Sequence, residues 1–324
     1  MYTIEKIIEI VDTIIKNEKY NSKPKGLYEP IEYVMSMGGK RLRPVLTLMA
    51  YNLYHDKLDL SYNPALGIET FHNFTLLHDD IMDNADLRRN MPTVHKKWDE
   101  NTAILSGDAM MVKAYRHLLK YTGPNFKDIL DIFTQTALEV CEGQQYDMNF
   151  ETIDSVSVDD YLEMIRLKTA VLIAASLKIG ALAADADKED IENLYLAGLN
   201  VGMAFQIQDD YLDVFGDVET FGKSIGGDIV SNKKTFLLIS AINNAKKDTL
   251  DDLHECLKLD KSKSEEKIKR IIDIYEKLDI KKISQQKMEE YLELAFKFLT
   301  KVKVDNSKKI HLIEFAKKLS KRVN

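Results

Sequence analysis

Apolar residues recur at helical spacing from one end of this chain to the other, while the residues that end helices are scarce. Only 14 glycines and 6 prolines occur among 324 residues, below the usual roughly 7% and 5%. Hydrophobic residues make up 45% of the chain, enough to bury a sizeable core with helices. No stretch alternates apolar and polar residues long enough to predict a strand. The sequence therefore predicts an all-α, multi-helix bundle and excludes a turn-rich β-sandwich and a mainly disordered chain.

The helical periodicity falls into segments separated by short breaks, among them Gly38-Gly39 and residues 122–125. No linker separates these segments, so we predict a single domain over residues 1–324. Past Asp248 the sequence becomes richer in Lys, Glu and Asp, which indicates solvated outer helices. We predict helices at residues 3–19, 27–37, 42–57, 62–84, 97–121, 127–150, 158–184, 189–215, 232–247, 264–280, 284–302 and 308–322.

Net charge and cysteine content narrow the class of protein. The formal net charge of −7 argues against a nucleic-acid binder, because phosphate backbones require clustered positive charge. Two cysteines, Cys141 and Cys256, cannot build a disulfide framework, which favours a cytoplasmic protein. Residues 2–20 mix Glu, Lys and Ile at helical spacing and do not form a signal peptide. The most apolar stretch, residues 170–184, is shorter than the roughly 20 residues of a membrane span, so we predict no transmembrane segment.

Two acidic clusters share the pattern Asp-Asp-x-x-Asp, in which the first and last carboxylates lie about one helical turn apart. The spacing alone does not distinguish a functional cluster from a solvated helical face, because the looser pattern acid-acid-x-x-acid also occurs at residues 159–163, 251–255 and 289–293. We call these three the control clusters, since a solvated helical face is the ordinary explanation for them. The two aspartate motifs consist of Asp79, Asp80 and Asp83, and of Asp209, Asp210 and Asp213.

Both aspartate motifs end strongly apolar helical segments, which the control clusters do not. Phe71 and Phe74 precede the first motif, and Phe205 and Ile207 precede the second. Helices this apolar should be buried. Burying an unpaired, charged carboxylate costs free energy of folding. A divalent cation removes that cost, and Mg²⁺ typically shares one or two carboxylates with substrate phosphates. The sequence therefore favours a magnesium site at these two motifs over a purely structural role.

Basic residues are placed as a diphosphate site would require. Lys40, Arg41 and Arg43 follow a Gly-Gly turn and open a helix, whose N-terminal amides favour anions. Other candidates are the Arg88-Arg89 pair, Lys168-Thr169 within an apolar helix, and the Gly-rich loop of residues 222–228 followed by Lys233. Each motif alone is equally typical of a solvated surface. Their combination with two aspartate motifs indicates phosphate binding.

At this point the sequence resembles the trans-isoprenyl diphosphate synthases, or polyprenyl synthetases. The resemblance runs from about Gly38 to Lys233 and covers Gly-Gly-Lys-x-x-Arg-Pro, both aspartate motifs, Arg-Arg, Lys-Thr, Phe-Gln-x-x-Asp-Asp and Gly-Lys-x-x-Gly-x-Asp. It implies the all-α isoprenoid synthase fold with a central apolar cavity, and a homodimer. Asn90 departs from the pattern, since the family commonly has Gly after Arg-Arg. Because Asn tolerates the left-handed conformation, we expect little effect.

The resemblance also implies roles for individual residues. The metal ligands would be Asp79, Asp83 and Asp209, supported by Asp80, Asp210 and Asp213, and these six aspartates with Lys168 and Lys223 would be catalytic. The allylic diphosphate would bind to Arg88, Lys168, Thr169, Gln206, Lys223 and Lys233. Isopentenyl diphosphate would bind to Lys40, Arg43, His72 and Arg89. His72 lies two helical turns before Asp79 and so shares its face.

The implied reaction is head-to-tail prenyl transfer. The Mg²⁺ ions and basic residues would stabilise the departing diphosphate, and the allylic cation would be attacked by the double bond of isopentenyl diphosphate. Product length would be set upstream of the first motif by Phe74 and Thr75, with Phe71 as an alternative floor of the tunnel. This combination resembles geranylgeranyl synthases, with a farnesyl product as the next choice.

Three other functions stay open at this stage. A metal-dependent phosphohydrolase would explain the adjacent His78 and Asp79, but it leaves the second motif and the Lys-Thr and Gly-Lys elements unexplained. A non-catalytic partner subunit would usually have degraded aspartate motifs, and both are intact here. A terpene cyclase fits less well, because two all-Asp motifs with an isopentenyl diphosphate site suit a reaction between two substrates.

Overall fold

The computed structural model describes residues 2–20, 22–216 and 226–320, apart from the side chains of residues 261, 319 and 320. Its helices are α1 (Ile4–Asn17), α2 (Lys25–Ser36), α3 (Leu42–Asn52), α4 (Tyr62–Met82), α5 (Val94–Lys97), α6 (Glu100–Leu119), α7 (Phe126–Thr152), α8 (Val158–Ile165), α9 (Val171–Ala183), α10 (Lys188–Phe215), α11 (Gly227–Val230), α12 (Phe236–Asn244), α13 (Lys247–Leu257), α14 (Ser264–Lys277), α15 (Ile280–Lys301) and α16 (Asn306–Ser320). Short 3₁₀ turns cover Asp59–Ser61 and Lys261–Lys263. The all-α prediction is confirmed.

Local sequence signals explain where several of these helices begin. The side chain of Thr3 accepts from the Lys6 amide at the start of α1, and that of Asp99 accepts from the Thr102 amide, at 2.9 Å, at the start of α6. Ser157 and Asp160 form a reciprocal capping box at α8. Asp160 belongs to the first control cluster, so capping explains this acid without any ligand.

The structure differs from the predicted helices at three places. A two-residue hairpin pairs β1 (Leu87–Arg88) with β2 (Met91–Pro92), strands too short to show alternation. The predicted helix 158–184 is interrupted by a π-helical turn, Arg166–Ala170, which we call the π segment. Helix α13 lies in the charged region where no helix was predicted. Its buried residues are Leu253 and Cys256, a stripe too narrow to stand out.

The chain divides into two compact units, each assembled from separated segments. The first consists of residues 1–134, 175–194 and 302–312, and the second of residues 135–174, 195–301 and 313–324. In the first unit α4 and α6 approach closely at Gly67, where an added Cβ would lie 3.1 Å from the Ala114 carbonyl oxygen. The core of the second unit includes Tyr161, Phe236 and Tyr275. That residues 1–324 form a single domain stays a prediction.

Hydropathy gives no candidate membrane span: within residues 2–20, 22–216 and 226–320, every helix is too short or too polar to cross a bilayer.

Candidate active site

The first aspartate motif lies at the C-terminal end of α4, the helix whose apolar face forms the core of its unit. Phe71, Phe74 and Leu77 are buried, and so is Asp80, which is only 5% exposed. Asp79 is partly exposed and Asp83 is exposed. The Asp83 amide donates to the Asp79 carbonyl at 2.9 Å, which keeps the helical turn between these two residues closed. The motif therefore presents two accessible carboxylates above a buried third.

The hairpin that follows α4 brings a guanidinium onto this motif. Arg88 Nε and Nη2 donate to Asp80 Oδ1 at 2.9 and 2.5 Å, and Nη2 lies 3.8 Å from Asp79 Oδ2. Burial raises the pKa of the Asp80 carboxyl, and the hydrogen bonds from Arg88 oppose that rise. Arg88 was predicted to hold the allylic diphosphate, and in this structure it binds the first motif. Its contact with substrate stays a prediction.

The turn of the hairpin places Arg89 against the Gly-Gly loop. Arg89 and Asn90 both have positive φ, 54° and 62°, as a two-residue type I′ turn requires. Asn90 thus adopts the left-handed conformation that the sequence suggested. Arg89 Nη1 donates to the Gly38 carbonyl, and a Cβ at Gly39 would lie 2.6 Å from Arg89 Cζ. Glycine at position 39 therefore makes room for the Arg89 guanidinium.

His72 and Arg43 form a second basic pair in the same unit. Arg43 Nη1 donates to His72 Nε2 at 2.9 Å. Burial, together with the neighbouring Arg43 and Arg89, keeps the pKa of His72 well below its usual value. His72 is therefore neutral and accepts a hydrogen bond from Arg43. This hydrogen bond orients the Arg43 guanidinium. Lys40 is exposed on the same loop.

Arg41, predicted only as one of the cations that open a helix, has a separate structural role. Arg41 Nη1 donates to Glu69 Oε1 and its Nη2 to the Met35 carbonyl, both at 2.7 Å. Glu69 also accepts from Asn73 Nδ2 at 2.8 Å. This buried ion pair fixes the Lys40–Arg43 loop to α4, one turn before His72. A single acid inside the apolar run of α4 was the signal that could have revealed it.

The second aspartate motif lies near the end of α10 and is more buried than the first motif. Asp210 is 4% exposed; it accepts from the Tyr161 hydroxyl and, at 3.2 Å each, from the Phe236 amide and Gln206 Nε2. Burial, and then the nearby charge of Asp228, raises the pKa of Asp210 to about 7. Asp209 is partly exposed. Asp209 is therefore the accessible member, and Asp210 anchors the motif.

Asp228, predicted only as part of the Gly-rich motif, joins this cluster. Its amide donates to Asp213 Oδ2 at 2.9 Å. Gly226, with φ of 83°, donates from its amide to the Asp213 carbonyl at 2.6 Å. Lys233 is exposed, and its charge opposes the rise in the pKa of Asp210. Lys223, predicted to bind the allylic diphosphate, lies outside the described residues.

Lys168 and Thr169 lie on the π segment. Lys168 Nζ donates to Asp147 Oδ2 at 2.6 Å, and Thr169 Oγ1 donates to Gln206 Oε1 at 3.0 Å. Because Gln206 also donates to Asp210, hydrogen bonds connect Thr169 to the second motif. π-helical turns occur frequently at functional sites. The structure thus brings together four of the predicted site residues, namely Lys168, Thr169, Gln206 and Asp210.

The control clusters differ from the aspartate motifs in burial. Asp159, Asp251 and Glu289 are exposed, and other members form surface ion pairs, such as Asp252 with Arg270 and Glu290 with Lys287. Among these five clusters, only the two Asp-Asp-x-x-Asp motifs contain buried carboxylates at the end of an apolar helix.

Both motifs have donors that suit a divalent cation. Each pairs partly exposed carboxylate oxygens with a buried carboxyl, Asp80 or Asp210, whose pKa is raised mainly by burial. Among the described residues no three acidic, histidine or cysteine side chains converge into a complete metal site. Mg²⁺ does not need one, because it completes its shell with water and substrate phosphates.

Of the residues predicted to set product length, Phe71 and Phe74 are buried in the first unit and Thr75 is half-buried. Phe74 contacts His78 and Phe71, with ring centroids 4.8 and 5.6 Å apart, and Phe71 packs edge-on against Phe133 at 5.3 Å. Thr75 Oγ1 donates to the His72 carbonyl at 2.8 Å. Phe74 therefore lies on the helix of the first motif within a layer of aromatic rings.

His78, which a phosphohydrolase would use beside Asp79, packs against α6. Its Nε2 lies 3.1 Å from the Ile104 carbonyl of α6, and a Cβ at Gly107 would come within 2.2 Å of the same nitrogen. The imidazole is therefore packed against α6. It fills the space left by a glycine, which explains His78 without a catalytic role.

Comparisons with known proteins show the family of this chain. The family model described as polyprenyl synthetase matches residues 24–275. A short-chain isoprenyl diphosphate synthase of Methanocaldococcus jannaschii is 40% identical over 271 residues, covering 83% of this chain and 82% of the relative. A geranylgeranyl diphosphate synthase of Saccharolobus solfataricus is 37% identical over 305 residues, covering 93% and 91%.

Solved structures show the same fold. A crystal structure of a geranylgeranyl pyrophosphate synthase superposes with a TM-score of 0.94 at 44% identity, covering 99% of each chain. The geranylgeranyl pyrophosphate synthase of Corynebacterium glutamicum, crystallised with isoprenyl diphosphate and magnesium, has a TM-score of 0.86 at 25% identity and covers 98% of each chain.

Proposed function

Because the chain belongs to the polyprenyl synthetase family, we propose that it condenses isopentenyl diphosphate with allylic diphosphates and releases geranylgeranyl diphosphate. The observation that carries this proposal is that each Asp-Asp-x-x-Asp motif holds a buried carboxyl, Asp80 or Asp210, beside more accessible ones, whereas the control clusters have no buried carboxyl. The geranylgeranyl diphosphate synthase of S. solfataricus and the similar solved structure support the product. The magnesium in the C. glutamicum structure supports the metal.

Asp79, Asp83 and Asp209 would hold the magnesium ions. When bound, Mg²⁺ would neutralise the diphosphate and so favour cleavage of the allylic carbon–oxygen bond. Asp80 and Asp210, fixed by Arg88 and by Tyr161, would orient the ligating carboxylates beside them.

Basic side chains would bind the two substrates. Arg43, oriented by neutral His72, and Arg89, seated on Gly38, would bind the diphosphate of isopentenyl diphosphate, with Lys40 reaching it from the loop. Lys168, Thr169, Gln206, Lys223 and Lys233, with Arg88, would bind the allylic diphosphate. No protein nucleophile is needed, because the double bond of isopentenyl diphosphate attacks the allylic carbon and the resulting cation loses a proton to the released diphosphate.

One assay tests the proposed reaction and its rivals. Purified protein is incubated with Mg²⁺, labelled isopentenyl diphosphate and either dimethylallyl, geranyl or farnesyl diphosphate, and the products are sized. We expect labelled geranylgeranyl diphosphate, and no product when the allylic partner or Mg²⁺ is omitted. Phosphate released from isopentenyl diphosphate alone would indicate a phosphohydrolase. Binding of both substrates without turnover would indicate a non-catalytic subunit.

Replacement of Phe74 by alanine is expected to lengthen the product. The ring is buried on α4, five residues before Asp79, and its removal opens space beneath the first motif. Mass analysis should detect prenyl chains longer than geranylgeranyl. Because a buried Phe→Ala change costs about 3–5 kcal/mol of stability, the control is Leu48→Ala, a buried truncation on α3. That control should keep the wild-type product, and an unchanged product from Phe74→Ala would exclude Phe74 as the floor.

We further propose that the protein is a homodimer that pairs through α6. Ile104, Leu105, Val112 and Leu119 are all exposed and lie within about 100° of arc on that helix. Such an apolar stripe is typical of a protein interface. Val112→Glu should convert the dimer to a monomer in sedimentation equilibrium, whereas Leu60→Glu, an exposed apolar residue of the 3₁₀ turn, should leave it dimeric. A monomeric wild type would contradict this assignment.

A further inference from the structure

The π segment that carries Lys168 and Thr169 is packed against two glycines. A Cβ added at Gly143 of α7 would lie 2.3 Å from the Lys168 amide nitrogen and 2.7 Å from its Cα. A Cβ added at Gly202 of α10 would lie 2.5 Å from the Ala170 Cα. These atoms belong to the backbone, and the Ala170 Cβ, also met at 2.8 Å, cannot rotate away, so no change of side-chain rotamer could relieve either contact. Both helices therefore lie closer to the π segment than a residue with a Cβ would allow, and only glycine permits this approach.

Each glycine is followed, one helical turn later, by a polar side chain that binds the same segment. Asp147, four residues after Gly143, accepts from Lys168 Nζ at 2.6 Å. Gln206, four residues after Gly202, accepts from Thr169 Oγ1 at 3.0 Å. Residues at this spacing share one face of a helix. On both helices, a glycine thus allows the backbones to approach, and the polar residue one turn later binds a side chain of the π segment.

This arrangement also connects the π segment to the second aspartate motif. Gln206 donates to Asp210 at 3.2 Å while accepting from Thr169. Asp210 further accepts from Tyr161, which lies on α8, the helix that leads into the π segment. A shift of the π segment would therefore move Lys168 and Thr169 and disturb the hydrogen bonds of Asp210. Gly26 provides a contrast, because a Cβ there would meet nothing within 4 Å.

We propose that Gly143 and Gly202 are positioning residues for the allylic diphosphate. By holding the π segment between α7 and α10, they set where the Lys168 ammonium and the Thr169 hydroxyl meet that substrate. This assignment rests on the proposed function for the identity of the ligand. The steric requirement itself follows from the packing of the second unit. The alternative is that both glycines serve packing alone.

The test compares Gly143→Ala and Gly202→Ala with wild type. The new Cβ must move from 2.3 or 2.5 Å to an ordinary contact near 3.4 Å, so the backbone shifts by about 1 Å, and such a misplacement lowers kcat/KM by roughly 10- to 100-fold. The loss should appear as a raised KM for the allylic substrate, with the KM for isopentenyl diphosphate unchanged. Gly26→Ala is the matched control and should keep both wild-type KM values.

Two further measurements separate positioning from packing. Adding Ala170→Gly to Gly202→Ala removes the Cβ that the new methyl would meet at 2.8 Å, and should restore part of the affinity for the allylic substrate. If both alanine variants fail to fold, Asp147→Asn, which leaves the backbone contacts intact, should show the same rise in the allylic KM. Unchanged KM values in the folded variants, or a uniform fall in kcat with both KM values unchanged, would overturn the assignment.

Calorimetry with inorganic diphosphate and Mg²⁺ distinguishes failure of this inference from failure of the proposed function. If the wild type forms no prenyl product but binds diphosphate, and Gly143→Ala weakens that binding at least tenfold, the positioning role stands and prenyl transfer does not. If the wild type is active and Gly143→Ala binds diphosphate and both substrates as wild type does, prenyl transfer stands and the positioning role is wrong.

Discussion

Alanine in place of Asp79 or Asp209 is expected to lower kcat roughly 100- to 1,000-fold, as loss of one charge-stabilising group typically does in an active site. Both carboxylates are accessible beside a buried partner, Asp80 or Asp210. Each variant removes a proposed magnesium ligand, so less charge on the leaving diphosphate is neutralised in the transition state. The KM for isopentenyl diphosphate should stay near the wild-type value, because Arg43, His72 and Arg89 are untouched.

Steady-state kinetics at saturating substrates and varied Mg²⁺ measure this effect. The matched control is Asp251→Ala, which removes an exposed carboxylate from a control cluster and should leave kcat and KM unchanged. A kcat near the wild-type value in either the Asp79 or the Asp209 variant would remove that residue from the metal site. An equal loss in Asp251→Ala would mean that surface charge, rather than metal binding, governs the rate.

Glu69→Leu is expected to lower the free energy of unfolding by about 3–5 kcal/mol, because it leaves a buried guanidinium without its partner. Arg41 and Glu69 side chains are 5% and 1% exposed, and they meet at 2.7 Å. Since proteins are typically stable by only about 5–15 kcal/mol, this loss is large. Denaturant unfolding followed by circular dichroism measures it.

The double variant Arg41→Met with Glu69→Leu separates the missing partner from the missing side chain. It replaces the buried pair by apolar groups and should recover most of the lost stability. Glu9→Gln, in the exposed Lys6–Glu9 pair, should change stability by no more than about 1 kcal/mol. A Glu69→Leu protein as stable as the wild type would show that Arg41 finds another partner or reaches water.

The helices were predictable wherever a wide apolar stripe repeats. In α1, for example, Ile4, Ile7, Val11 and Ile15 are buried at helical spacing, and the sequence alone shows that repeat. Helix α13 was missed because its buried residues, Leu253 and Cys256, lie among charged residues. Arg270 of α14 pairs with Asp252 of that helix at 2.5 Å. Such tertiary contacts leave no periodic signal.

Backbone irregularities were the part of the fold that sequence reasoning could not supply. The Arg88–Met91 hairpin depends on two residues with positive φ, and one of them is an arginine, a residue type that seldom adopts this conformation. The π segment depends on the space left by Gly143 and Gly202 on helices distant in sequence. An isolated glycine within a helical pattern does not indicate which neighbour it admits.

Site residues could be predicted where charged side chains lie within or at the end of an apolar segment. Aspartates that end apolar runs pointed to Asp80 and Asp210, both of which are buried. Arg41 and Asp228 gave no such signal, because Arg41 lies in the loop before α3 and Asp228 in the short helix α11, and each acquires its role from a partner on another segment. Sequence spacing therefore indicates candidate ligands for the proposed site, but not the residues that position them.

The most direct test of the account is a crystal structure with Mn²⁺ in place of Mg²⁺, isopentenyl diphosphate and a non-cleavable allylic thiodiphosphate. Mn²⁺ scatters anomalously, so its position can be assigned independently of the ligand density. We expect Mn²⁺ at roughly 2 Å, as for Mg²⁺, from carboxylate oxygens of Asp79 and Asp83 and from a carboxylate oxygen of Asp209 when the diphosphate is bound. Manganese missing from either motif, or bound at both without the diphosphate, would contradict the proposed mechanism.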